Sequence, residues 1–352
     1  MQLNISRTEL ARVVGAVGKV VEARNTIPIL SNILLEADGD RLSVTGTDLD
    51  IQATAAAEAT IQKAGKITVS AKLLGDIVRK AAGDTISIEL KDGRLHVKAG
   101  RSNFNLETLP AADYPDLASG TYAAEFEIDL AALFAPVAFA ISADEVRYYL
   151  GGIFLHNHGD DIVAVATDGH RMAVNSSPIE TQLPAVIVPR KTAAMLPKGS
   201  VNVSVSDTKI RIQAGEFVMV SKLIDGTFPD YRRVMPSGND KIVAFDRDAL
   251  MKASDRVATV SAEKGRAVKF SVAPGGISLS VRSDAGDATD EIEADYSSEP
   301  VDIGFNAAYV RDMLNAIPPG QTTFALADSG SPALVRSASA PNWTGVCMPM
   351  RV

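Results

Sequence analysis

The sequence is poor in the residues that staple small folds or carry metal and redox chemistry. Among 352 residues there is one cysteine, Cys347, one tryptophan and four histidines, and aromatics make up 5%. A single thiol excludes an internal disulfide and any zinc site built from several cysteines, and it fits a reducing cytoplasm. No segment reaches the ~18 uninterrupted apolar residues of a membrane helix. The start, Met1-Gln2-Leu3-Asn4-Ile5, lacks the basic patch and apolar run of an export signal. A soluble, cytoplasmic protein with no membrane partner is expected. Positive charge is in deficit: 35 Lys and Arg face 43 Asp and Glu, a net charge of -8. That argues against gripping nucleic acid over the whole surface. No Walker-type glycine loop, dinucleotide fingerprint or His-Glu-x-x-His pair occurs. No cofactor, metal or catalytic residue is expected, which favours a binding protein over an enzyme.

What is present is a large apolar fraction, 46%, with 22% charged residues. That suffices for two or three domains of ~100–200 residues each. The chain also repeats itself. Val69-Ser70-Ala71-Lys72-Leu73-Leu74, Val188-Pro189-Arg190-Lys191-Thr192-Ala193 and Phe305-Asn306-Ala307-Ala308-Tyr309-Val310 align, with spacings of 119 and then 117 residues. A second triplet agrees: Ser6, Asp129 and Asp246 each stand as a capping residue before an apolar-periodic run. Two pairs link the first two thirds only. Thr45-Gly46-Thr47-Asp48 echoes Val165-Ala166-Thr167-Asp168, and Asp113-Tyr114-Pro115-Asp116 echoes Thr227-Phe228-Pro229-Asp230.

Between the helical windows the pattern has period two. Arg41–Thr45, Thr85–Leu90, Val201–Val205 and Gly276–Val281 alternate apolar with small or polar residues, which predicts half-buried strands. Asp38-Gly39-Asp40, Asp92-Gly93, Asn157-His158-Gly159 and Pro274-Gly275-Gly276 supply turns. Each third is expected to hold two helices and six to eight strands. The fold class is therefore α+β: three similar domains, 1–120, 121–241 and 242–352, each with two helices packed on antiparallel sheets. Helical windows are expected at 6–24, 71–80, 129–142, 189–198, 246–256 and 306–317. Pro136 predicts a kink or late start in the third, and Pro197 ends the fourth.

Charge is unevenly shared among these segments. The six windows hold fourteen Lys and Arg against eight Asp and Glu, leaving 21 cations against 35 anions elsewhere. Helix exteriors favour Lys and Arg for solubility, which is one account. The other is that the helices share a side that faces a polyanion through non-specific phosphate contacts, with an acidic sheet facing away.

Six stretches carry a family resemblance: Asn25–Leu30, Leu109–Pro115, Arg147–Leu150, Thr167–Arg171, Phe228–Val234 and the terminal Met348–Val352. In that order, across nearly the whole chain, they make the sequence similar to the bacterial DNA polymerase III β subunits, the sliding clamps. The resemblance implies a homodimer, two chains closed head-to-tail into a ring of six domains, with twelve helices lining the hole and sheets outside. It implies duplex DNA encircled without regard to sequence, in DNA replication and repair. It also implies docking of the replicative polymerase, clamp-loader subunits, other polymerases and repair proteins through short clamp-binding peptides. A ring that holds DNA by topology needs little affinity, which answers the objection raised by the net charge.

The family's partner-peptide pocket maps onto Leu150, Thr167, Gly169, His170, Arg171, Met172, Pro229, Arg233, Val234, Asn306, Tyr309, Val346, Met348, Pro349, Met350 and Arg351. Met and Leu give adaptable apolar walls for a short linear peptide, with Arg and His orienting its polar atoms. DNA contact is expected from Arg24, Arg147, Tyr148 and Tyr149. The subunit contact is expected to be an edge strand with Phe104 and Leu106 against Thr259 and Val260. There are departures from the family pattern. Met172 replaces a usual Leu, Gly265 stands where an aromatic borders the pocket, and Gly330 and Pro332 differ. Asp144 replaces a DNA-touching amide, so that contact is not carried over.

Other readings have specific residues. Asp168 and His170 on a small substrate would make an enzyme, although neither a nucleophile nor a metal site accompanies them. A monomeric scaffold without a ring is the third. His156 and His158 read as a hairpin turn, Cys347 as a small packed residue, and the Met348-Pro349-Met350 end as a packed terminus.

Overall fold

The computed structural model describes residues 1–22, 25–118, 120–260, 267–284 and 286–351. They form 25 strands and six α-helices: α1 (Arg7–Gly18), α2 (Ala71–Lys80), α3 (Leu130–Phe134), α4 (Arg190–Ala194), α5 (Arg247–Ala258) and α6 (Ala307–Asn315). All four strand segments expected from alternation are strands, and every pairing between strands is antiparallel. The central and final thirds have eight strands each, as expected, and the first has nine. The extra one is Thr60–Lys63, separated from Ile51–Glu58 by Ala59, whose N–H is donated to Asp40.

The chain forms two compact units, Met1–Ile128 with Met195–Leu223, and Asp129–Ala194 with Ile224–Val352. Each contains one continuous run of strands. In the first unit, Phe217–Lys222 from the central third pairs along Ile51–Glu58 from the first. In the second, Arg171–Pro178 pairs along Ala340–Cys347 from the final third. The central third is thus divided between the units, because backbone pairing carries each half of it into a neighbour's sheet.

The helices show why short-range signals under- and overreach. α1 buries Leu10, Val13, Val14 and Val17, an i, i+3, i+4, i+7 stripe worth ~1.5–3 kcal/mol per side chain, and packs on α2. α5 buries Leu250, Ala253, Ser254 and Val257 and packs on α6 in the same way. In the central third both helices are five residues long. α3 stops at Phe134, so Pro136 brings an early end, where a kink or late start was expected. Ala135 is still helical and donates to the Ala131 carbonyl, but Pro136 has no N–H to carry the ladder further. The Pro136 carbonyl instead accepts from Trp343 Nε1 at 2.9 Å. α4 ends at Ala194, three residues short of Pro197.

Asp129 and Asp246 cap as expected, accepting from Ala132 and Ala249 N–H at 2.8 Å. Ser6 makes no side-chain cap bond; the first helical N–H, that of Arg7, goes to the Asp84 carbonyl. Several helix cations meet carboxylates within their own unit. Arg12 pairs with Glu9, Arg79 with Asp76, Arg247 with Asp248 and Arg256 with Asp290. Among the described residues no helix is long and apolar enough to cross a membrane.

Candidate functional site

The loop between strands Asp161–Thr167 and Arg171–Pro178 is built from its own side chains. Thr167 Oγ1 donates to the Arg171 carbonyl at 2.8 Å and accepts from Gly169 N–H. Asp168 Oδ1 accepts from His170 and Arg171 N–H at 2.9 and 3.0 Å. The first third repeats this loop atom for atom. Thr47 Oγ1 donates to Ile51 and accepts from Leu49, and Asp48 Oδ1 accepts from Asp50 and Ile51 N–H. The Thr-Asp echo is therefore a loop-forming device. Asp168 is a turn former here, and no acid–base role is needed to explain it. What distinguishes the second copy is His170 and Arg171, where the first has Asp50 and Ile51.

Arg171 ties this loop to two other segments. Its side chain is 11% exposed and bonds Asp168 Oδ2 at 3.1 Å, Asp312 Oδ2 of α6 at 2.7 Å and the Phe139 carbonyl at 2.9 Å. The guanidinium also lies over the Phe139 and Tyr309 rings, at 5.2 and 4.5 Å from their centroids. His170 stacks beside Tyr309 at 6.1 Å. Burial raises the Tyr309 pKa above its usual value, so the ring meets the guanidinium as a neutral phenol. Asn306 faces inward as the cap of α6, accepting from Ala308 and Tyr309 N–H.

Next to this network is an apolar floor. Leu150, Met172 and Val346 share one buried cluster with Val163, Val165, Ile187, Phe228 and Tyr231. The turn Tyr231–Val234 leaves Val234 58% exposed, with Pro229 and Arg233 also at the surface, and Arg233 pairs with Asp230. The chain end is pinned at both sides. Met348 N–H donates to the His170 carbonyl at 2.9 Å and Met350 N–H to Gly304 at 2.8 Å. The two methionines remain 41% and 37% exposed, Arg351 is exposed, and Pro349 between them is half-buried. The expected residues thus fall into an apolar floor with the exposed turn beside it, a charged and aromatic flank, and a tethered methionine tail. Exposed Val and Met beside a buried floor suit an extended apolar ligand. Cys347 is buried, and burial pushes its thiol up to about 12, so it packs and does not react.

Of the remaining expected residues, Tyr149 packs on the same apolar cluster and Arg147 lies against Gly169, whereas the others lie elsewhere. Arg24 and Gly265 lie outside the described residues. Arg147 pairs with Asp144 at 2.8 Å, and this bond holds the Asp144 carboxyl below the usual range. Tyr148 is exposed and meets Tyr149 edge-on at 5.8 Å. Phe104 is half-buried opposite Val97, while Leu106, opposite Leu95, is only 8% exposed and belongs to the core of its own chain. Thr259 closes α5, donating from N to Arg256 and from Oγ1 to Asp255. The Val260 carbonyl accepts from Ser283 Oγ.

Sequence reasoning expected an edge strand at Phe104 and Leu106 but missed a second open edge on Gly286–Asp295. Ser102–Leu109 pairs on its outer side only through Thr108 and Leu109, leaving 102–107 unpaired there. Gly286–Asp295 likewise pairs with Lys241–Asp246 only through Ala294 and Asp295, leaving 286–293 without a strand on that side among the described residues. A cleft of about 970 Å3 lies where those strands part beside α5, away from the pocket residues. Charge was the available signal: the second edge carries Asp287, Asp290, Glu291 and Glu293.

Three family models match the chain in order: the N-terminal domain of the DNA polymerase III beta subunit at 1–118, its central domain at 127–230 and its C-terminal domain at 232–351. The chain is 46% identical to the beta sliding clamp of Caulobacter vibrioides and 37% to that of Escherichia coli K12, with both chains covered completely in each case. Its fold is similar to the crystal structure of a sliding clamp, DNA polymerase III subunit beta, from Bartonella birtlesii bound to griselimycin. That match has a TM-score of 0.96 at 38% identity over all of both chains.

Proposed function

The chain belongs to the DNA polymerase III beta subunit family, and on that premise we propose that it encircles duplex DNA as a closed dimeric ring and tethers the replicative polymerase to it. The family consists of processivity factors, not catalysts. The observation that carries the reading is the succession of three family domains without a gap longer than a linker, over the entire chain. On this reading 1–120, 121–241 and 242–352 are the three clamp domains, working in the cytoplasm.

Ring closure has support in the two open edges. One chain's Ser102–Glu107 edge would add to the acidic 286–293 edge of a second copy, and the reverse contact would close the ring. Exposed edges otherwise invite aggregation, and pairing them hides the unpaired backbone groups. Phe104, with Thr259 and Val260 near the acidic strand's end of the domain, would pack beside that joint. Leu106 would act from below, holding its strand.

Weak adhesion suits sliding. Each phosphate neutralised by a cation releases counterions and adds salt-dependent affinity. Among the described residues, the helix arginines Arg12, Arg79, Arg247, Arg256 and Arg311 already face carboxylates of their own chain, which leaves fewer charges for DNA. Arg24, Arg147, Tyr148 and Tyr149 would give light contacts. The pocket around Leu150, Met172, Val346 and Arg171 would take short peptides from the polymerase, clamp loader and repair proteins. Burying two or three apolar side chains at ~1.5–3 kcal/mol each, less ordering costs, gives roughly micromolar binding. Partners that must exchange need that weakness.

The test is retention on DNA with a clamp loader and ATP present. The protein should stay on closed circular DNA and be lost when the circle is cut. Retention unchanged by cutting would mean ordinary affinity and would refute encirclement.

A further inference from the structure

Strand Gly152–His158 places Phe154, His156 and His158 on one face, because side chains alternate along a strand. Each of the three meets the segment that leads into the turn Tyr231–Val234. Phe154 stacks on Phe228 with centroids 4.8 Å apart and planes 5° from parallel. His156 Nε2 is 3.1 Å from the Tyr231 hydroxyl, and His158 Nδ1 is 3.1 Å from Arg232 Nη2. Neither histidine belongs to a metal-binding group among the described residues.

The partners fix where the His156 protons are. The Asn157 carbonyl, 2.7 Å from Nδ1, can only accept, so Nδ1 carries the proton. In the neutral ring Nε2 is then the acceptor, and the Tyr231 hydroxyl donates to it. The ring is buried, tilted against Phe154 at 4.7 Å on one side and against Tyr231 on the other. A positive charge there is disfavoured first by burial, which the bond to the Asn157 carbonyl partly offsets, and further by Arg232 and His158. Tyr231 stays protonated, because burial raises its pKa, while Arg232 and Asp230 act on it in opposite senses. Asp161 stands across the hairpin from His158.

We propose that His156 is a positioning residue of the peptide pocket: its neutral ring clips Tyr231, and with it the turn bearing Arg233 and Val234, onto the hairpin. This rests on the pocket reading above. The apolar Phe154–Phe228 stack gives adhesion without direction. The Tyr231–His156 bond adds direction, since only one rotation of the turn brings hydroxyl to ring nitrogen. His158 accepting from Arg232 extends the same face by one more rung.

Three variants test it. Tyr231→Phe removes the donor alone, His156→Phe removes the acceptor while keeping a ring, and His156→Gln restores an acceptor that does not titrate. Hydrogen exchange over 228–234 reads the clip directly. A fluorescein-labelled clamp-binding peptide of the replicative polymerase reads the pocket. Loss of one buried hydrogen bond should speed exchange there and weaken the peptide by about 3–10-fold in Tyr231→Phe and His156→Phe, with recovery in His156→Gln. Unchanged exchange over 228–234 in both Phe variants would overturn the clip. A wild type that binds no peptide would refute the pocket reading, and the exchange data would still decide the clip.

Discussion

Arg171 and Asp312 are joined by a 2.7 Å bond although 141 residues separate them. One lies at the end of a loop that the first third also possesses, the other on the last helix. The bond turns a generic hairpin loop into one flank of a pocket. Asp168 on the other side of the guanidinium holds it in plane, and Tyr309 closes over its face.

Replacing Arg171 with Ala should cost about 2–3 kcal/mol in a urea melt. That is less than a fully buried pair, because the Asp312 carboxylate keeps access to water. Arg171→Lys keeps the charge but loses the fork, and should recover less than half of the loss. A double-mutant cycle with Asp312→Ala should give a coupling near 1 kcal/mol. Zero coupling would mean the pair is a surface accident.

Gly169 has φ +86°, and a Cβ there would lie 2.7 Å from Arg147 Nη1. Leu49 holds the matching place in the first third at φ +79°, so the loop tolerates a side chain at the cost of backbone strain. Gly169→Ala should therefore fold, lose about 1–2 kcal/mol, and displace the Arg147 guanidinium. A stability equal to wild type would show that the strain has been misjudged.

Phe104 and Leu106 share a strand face but not a fate. Leu106 is inside its own chain, so a charge there unfolds the domain before it tests any dimer. Phe104→Glu is the cleaner probe. It should give monomers in sedimentation across a dilution series while the thermal melt keeps its cooperativity. A dimer that persists at every dilution would remove Phe104 from the joint.

Acid should loosen the second unit through His156. Its folded pKa lies below the ordinary 6.5 because burial and Arg232 disfavour the charged ring. Below pH 6.5 the unfolded chain therefore binds more protons than the folded one, and stability rises with pH in that range. The contribution is complete above 6.5 and is lost as pH falls towards the lower folded value. Comparing melts of wild type and His156→Gln should show a constant difference above pH 6.5 that shifts against the wild type below it.

Much of this was legible in one dimension. The 117–119-residue spacing gave the threefold repeat, because a helix starts at each matching position, although Ser6 does not cap and the central helices are short. Alternation gave the strands, because a half-buried strand must place every second residue in the core. The pocket residues came from the family resemblance, whereas the shared loop of Thr47-Asp48 and Thr167-Asp168 emerged only from their hydrogen bonds.

The amino-acid order alone settled the repeat and the antiparallel α+β class, since these rest on local periodicity and composition. Tertiary structure decided the rest. The division of the central third between two sheets, the open edges, the Arg171–Asp312 bond and the His156–Tyr231 bond all depend on which distant segments meet. The two bonds span 141 and 75 residues, and no window of neighbouring residues contains such meetings.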